Sequence, residues 1–243
     1  MLRKTGVGFL LSLMFVLFAY SSAVADTPVF NSKDGKLYAS INVGLTFLND
    51  LDFDLAGQTQ HGFTGTGTGS GSFDAGVSFG GALGYVISDK VRTELELGYQ
   101  KIDYDKVDLS GGTYTPSGAA TVTYAAGEYN VNGEIDALTV STNVILTPLG
   151  NKTLFGASVT PLVGAGIGFV DWESEITTID TQTIDGKEDD TDLLVSIMAG
   201  LEYTSSQQVT WAIKYRHSWV DSGKDGAEDA AIDSIGANVN IAF

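Results

Sequence analysis

Six ionisable residues sit at alternating positions inside otherwise apolar stretches. Arg92, Glu94 and Glu96 recur every second residue, as do Lys214 and Arg216, and Glu202 lies between Leu201 and Tyr203. Residues two apart in a strand share a face. Three carboxylates and three cations on the polar faces of apolar strands can neutralise one another in a low-dielectric interior. Such a network either fills a narrow lumen or gates it. A second set is purely acidic: Asp180, Asp185, Glu188, Asp189, Asp190 and Asp192, then Asp221, Asp225, Glu228, Asp229 and Asp233. Carboxylates at this density suit Ca²⁺ or Mg²⁺, but Asp185 to Asp190 lacks the spacing of an EF-hand loop. These residues read as a solvated surface, and no metal or cofactor site is expected. His217 and Ser218 supply a base and a hydroxyl, which acyl transfer needs within hydrogen-bond reach. Adjacent strand residues point to opposite faces, and Trp219 stands where a same-face serine would be. The Gly/Thr-rich stretch 62–71 has neither the lysine nor the following helix of a phosphate loop and reads as flexible.

The elements that must position these residues are strands. Leu37, Ala39, Ile41, Val43, Leu45 and Phe47 alternate with Tyr38, Ser40, Asn42, Gly44 and Thr46, and no helix gives six apolar residues at a strict spacing of two. Seven more runs repeat the pattern: Phe73 to Ile87, Val91 to Tyr99, Leu138 to Leu146, Val159 to Phe169, Leu193 to Tyr203, Val209 to Arg216 and Ser234 to Phe243. Each offers the roughly 9–11 residues that a tilted strand needs to cross a bilayer. Three connections are short (88–90, 148–153, 204–208) and four are longer (about 49–72, 101–131, 171–191 and 220–231). Pro161 cannot donate to a ladder and belongs near the entry of its strand.

Alternation does not say which face is outside. A soluble barrel would turn its apolar face inward. Here the polar face is mostly Gly, Ser, Thr and Asn, which suit a cramped lumen better than a wetted surface. Aromatics also gather near both ends of the apolar face. Tyr85, Tyr203, Trp211 and Phe243 lie near the short turns, and Phe47, Phe73, Tyr99 and Phe169 near the long loops, as interfacial girdles do. The first residues read as a secretory signal: Arg3 and Lys4, an apolar run from Val7 to Tyr20, then Ala23-Val24-Ala25. Cleavage after Ala25 leaves residues 26–243 as one domain. Removing Arg3 and Lys4 leaves 11 of the 13 basic residues against 30 acidic ones, a mature charge of about −19, which disfavours nucleic acid as a partner. With no cysteine there is no disulfide framework and no thiol nucleophile.

The runs Thr93-Glu94-Leu95-Glu96-Leu97-Gly98-Tyr99, Pro161 to Gly168, Gly200-Leu201-Glu202-Tyr203 and Lys214-Tyr215-Arg216, with the terminal Phe243, together resemble the outer-membrane β-barrel domain family, that is, the OmpA/OmpX-type eight-stranded barrels and porin-like surface antigens of proteobacteria. The resemblance implies an all-β fold: an eight-stranded antiparallel up-and-down transmembrane β-barrel, with short periplasmic turns and long extracellular loops, in the cell outer membrane. It implies outer-membrane lipid, lipopolysaccharide and the barrel-assembly machinery as partners. Val239, Ile241 and Phe243 are similar to the C-terminal signal which that machinery reads. The expected role is non-enzymatic and structural, adhesive or antigenic, with a possible host or surface ligand at the acidic loops. A small porin-like channel is the alternative. A lipid A-modifying enzyme is a third reading, because His217 and Ser218 are similar to the His and Ser that lipid A deacylases carry on one lipid-facing strand. In those enzymes the two residues stand two apart, and here they are adjacent.

Overall fold

The computed structural model describes residues 36–54, 59–60, 63–116, 121–149, 159–205, 208–221 and 230–243. Twelve strands follow one another: β1 (Lys36–Leu48), β2 (Leu51–Asp54), β3 (Thr59–Gln60), β4 (Phe63–Thr66), β5 (Thr68–Phe73), β6 (Gly76–Val86), β7 (Val91–Pro116), β8 (Val122–Leu146), β9 (Val159–Ile179), β10 (Gln182–Thr204), β11 (Val209–Asp221) and β12 (Ala230–Ala242). Eight of them close a ring. β1 pairs with β6 and β12, and antiparallel neighbours run on through β7, β8, β9, β10 and β11. Closure removes every sheet edge from the membrane, where an unpaired backbone group would meet hydrocarbon. The segment 1–25, with Ala23 and Ala25, lies outside the described residues.

The apolar face is on the outside. Ile41, Val43 and Ile213 are each more than 60 % exposed, while Asn143 and Asn240 are fully buried. This inversion suits a barrel whose surrounding solvent is lipid. The lumen is narrow enough that small residues are obligatory on some strands. A β-carbon on Gly84 would come within 2.1 Å of the Tyr38 ring, which lies across it.

The long connections differ from expectation. Two of them are not loops. β7 and β8 are 26 and 25 residues long, and β9 and β10 are 21 and 23. Each is about twice what a bilayer crossing needs. The 171–191 connection shrinks to the turn at Asp180 and Thr181, with Asp180 at a φ of 52°. The Gly/Thr-rich stretch also folds, as β4 and β5 paired to the outer part of β7. Phe73 therefore ends β5 and packs on Tyr104, with ring centroids 4.8 Å apart, and is not part of the ring strand β6. Sequence alternation was weak there because glycine hides the side-chain period.

A small core explains why these extensions stand. Val107, Leu109, Tyr124, Val131 and Ile176 are buried together, with Phe53, Tyr104, Val122, Tyr129 and Ile179 against them. On the opposite faces, cross-strand pairs hold register: Lys101 with Glu134 at 2.6 Å and Lys187 with Glu173 at 2.6 Å. Pro161 is the third residue of β9. β8 pairs with β9 only from Val163 onward, so at Pro161 a missing donor on that side breaks no described ladder bond.

Candidate functional site

Six predicted ionisable residues point into the lumen from three strands. β7 supplies Arg92, Glu94 and Glu96 on consecutive inward positions, β10 supplies Glu202, and β11 supplies Lys214 and Arg216. All except Arg216 are less than a tenth exposed. The Arg92 guanidinium grips Glu202 through both terminal nitrogens, with Nη1 donating to Oε2 at 2.9 Å and Nη2 donating to Oε1. Glu96 accepts from Arg216 Nη2, from Asn143 Nδ2 at 2.8 Å and from Asn42 Nδ2 at 3.4 Å. Glu94 accepts from the Tyr38 hydroxyl at 2.6 Å, and the Lys214 ammonium stands 3.7 Å from its other oxygen. The Tyr38 ring lies 5.6 Å from the Arg92 guanidinium carbon, a cation–π distance. Taking an ion out of water costs several kcal/mol. The three carboxylates and three cations offset that cost only as an interlocked set.

Sequence reasoning placed Tyr38, Asn42, Asn143 and Asn240 on the polar faces but assigned them no role. The usable signal was their size: large polar side chains on a Gly- and Ser-rich face have to meet something across the lumen. Asn240 donates to Glu202 at 3.5 Å. A cavity of about 60 Å³ lies beside this network, lined in part by Gln100, Thr139, Ser234 and Asn238 as well as Glu96, Lys214 and Arg216. It has room for a few water molecules at about 10–15 Å³ each. Toward the long-strand end the lumen turns apolar. Ala137, Val170, Leu194, Val220 and Ile232 are buried together, with Leu48 and Trp172 against them.

His217 and Ser218 are not brought together. Ser218 is 5 % exposed and belongs to the inward row of β11, whereas His217 lies on the outward row opposite Asp233. His217 Nδ1 is 2.7 Å from Asp233 Oδ1, which also accepts from the Tyr215 hydroxyl at 2.5 Å. A base held this way has no hydroxyl nucleophile from Ser218. Of the acidic residues, Glu188, Asp189, Asp190 and Asp192 are strand residues of β10, and Asp225, Glu228 and Asp229 lie outside the described residues. Among the described residues no cluster of three or more His, Asp or Glu is arranged to hold a metal ion.

At the C-terminus, Ile241 is paired with Ala39 on β1, Val239 with Ile41, and the Phe243 amide donates to the Leu37 carbonyl at 3.2 Å. The tail thus lies along the closing seam of the ring. Phe243→Ser is expected to lower the amount of barrel in the outer membrane, measured by fractionation. Levels equal to wild type would refute a role for this residue in assembly.

The chain matches the family model described as Outer membrane protein beta-barrel domain over residues 9–243. Uncharacterized proteins of Brucella suis biovar 1 and Brucella melitensis biotype 1 are each 28 % identical over 165 residues, a match covering 63 % of this chain and 54 % of the relative. The chain therefore spans about half the length of the curated relatives it matches. Among solved structures, Neisserial surface protein A shares 14 % identity at a TM-score of 0.45, covering 87 % of this chain and all of that one. OprG from Pseudomonas aeruginosa shares 13 % at 0.41, covering 88 % and 99 %. The outer membrane protease OmpT from Escherichia coli shares 11 % at 0.43, covering 88 % and 100 %.

Proposed function

Because the chain belongs to the outer membrane protein beta-barrel domain family and resides in the outer membrane, we propose that it is a non-enzymatic surface scaffold whose barrel is a filled anchor and whose extracellular strands carry a structural, adhesive or antigenic role. The observation that carries this reading is the contrast between the two halves of the molecule. The lumen is occupied by interlocked ion pairs and an apolar layer, while β7 to β10 extend well past bilayer length around a core of their own. Eight strands leave an interior that side chains can fill, and Arg92, Glu94, Glu96, Glu202, Lys214 and Arg216 act here as the plug. Lipid and lipopolysaccharide surround the barrel, the assembly machinery inserts it by way of Val239, Ile241 and Phe243, and a surface ligand meets the extracellular strands. Separation of Ser218 from His217 by the strand wall supports a role without acyl chemistry.

Single-channel recording in planar bilayers tests the plug. The purified barrel is expected to give no openings above the lipid background. Discrete, reproducible openings would instead favour a small channel for ions or small solutes.

A further inference from the structure

The lumen holds one cation whose hydrogen bonds its neighbours do not take up. Arg92 grips Glu202 through both terminal nitrogens, and Arg216 donates to Glu96. Lys214 has no such partner. Its ammonium stands 3.7 Å from Glu94 Oε2, close enough for Coulomb attraction but too far for a hydrogen bond. That oxygen accepts no hydrogen bond, and Glu94 is held instead through Oε1, by the Tyr38 hydroxyl at 2.6 Å. Lys214 is only 8 % exposed. Its ammonium donors are therefore enclosed in the barrel without a hydrogen-bond acceptor among the described residues.

The ammonium lines the cavity of about 60 Å³ beside the network. Arg216 brings a second cation to the same wall, against one carboxylate, Glu96. The Glu96 oxygens already accept from Arg216, Asn143 and Asn42. Asn238 is 4 % exposed, lines the cavity, and has no side-chain partner among the described residues. Gln100 accepts from Thr46 at 3.1 Å through its oxygen, which leaves its amide donors for the cavity. Glu94 and Glu202 do not line this space. Its wall thus carries two positive charges to one negative, with amide donors among them. A buried ion is costly unless opposite charge and hydrogen bonds both meet it. Water supplies the hydrogen bonds but not the charge. A monovalent anion supplies both, and one negative charge restores the local balance. Volume sets the size: at about 10–15 Å³ per water, the cavity holds about four to six, which suits a halide with a few waters and excludes a sugar acid.

We propose that this cavity is a binding site for one monovalent anion of halide size, held by Lys214, Arg216 and the Asn238 amide. The proposal rests on the reading of the lumen as a plug. Openings in planar bilayers would refute the plug while leaving the anion in place, so the two fail separately. Two measurements on the full-length mature protein in detergent micelles test the site. The first follows thermal loss of the heat-modifiable form at an ionic strength of about 0.2 M, in sodium chloride, sodium bromide or sodium gluconate, the last an anion too large for the cavity. Chloride and bromide are expected to raise the midpoint by at least about 3 °C over gluconate, by mass action on the folded state. That difference is expected to vanish in Lys214→Met, which removes the charge to be balanced, and in Asn238→Asp, which puts a fixed carboxylate on the wall. If Lys214→Met yields no folded barrel, Asn238→Asp decides. The second measurement uses crystals of protein refolded in sodium bromide, which are expected to show an anomalous bromide peak within hydrogen-bond reach of Lys214 Nζ. Equal midpoints in chloride and gluconate, an equal shift in wild type and Asn238→Asp, or bromide peaks confined to the outer surface would each overturn the proposal.

Discussion

Arg92→Leu is expected to destabilise the barrel by about 3–5 kcal/mol, the usual result of removing one partner of a buried ion pair. Glu202 would then remain below a tenth exposed with only Asn240, at 3.5 Å, as a described side-chain partner. Glu94 would also lose the guanidinium that stands 3.8 Å away. The companion Arg92→Leu, Glu202→Leu variant removes both charges and is expected to recover most of the loss, because two apolar side chains need no counter-ion. Urea titration of the folded, heat-modifiable form measures both. A single variant as stable as the double would show that the pair is not electrostatically closed, and that water reaches Glu202.

Gly168→Val is expected to prevent barrel formation, at a cost of about 3 kcal/mol or more in a site with no room to adjust. A β-carbon there would stand 2.1 Å from the Val140 carbonyl oxygen and 2.6 Å from the Ser141 α-carbon. Both atoms belong to the backbone of the neighbouring strand, so relief would require β8 and β9 to separate. The unboiled variant should migrate like the boiled one on a denaturing gel. Gly71→Ala is the control, since the nearest atoms to its β-carbon are 3.9 and 4.0 Å away. A folded, heat-modifiable Gly168→Val would mean that the strands part there at little cost.

The two expectations depend on different levels of information. That Arg92, Glu94 and Glu96 share a face follows from their spacing, because strand side chains alternate whatever the strand packs against. That Arg92 meets Glu202, 110 residues away, depends on how many strands close the ring and in what register. The same limit applies to Tyr38, whose polar-face position was legible and whose bond to Glu94 was not.

The long-strand half was harder to read for a local reason. Residues 64–71 alternate Thr or Ser with Gly, so no apolar period marks them as strands. The ladder offered by the long β7 gives them a partner, and backbone pairing then decides their conformation. Residues 101–116 likewise became strand because Val107 and Leu109 gained a core with Tyr124 and Ile176, residues that local spacing cannot bring near.

By itself the sequence determined that the chain is built of strands with one apolar and one polar face, that six charges belong to the polar one, and that the whole is strongly acidic. These are properties of residue type and of a two-residue period. The small residues of the polar face and the aromatics at the ends of the apolar one also pointed to the apolar face as the outer one, and the exposure of Ile41, Val43 and Ile213 agrees. Only the tertiary structure decided which charge meets which, and that the outer connections are sheet. Each of these depends on ring closure, which pairs residues that are far apart in the chain.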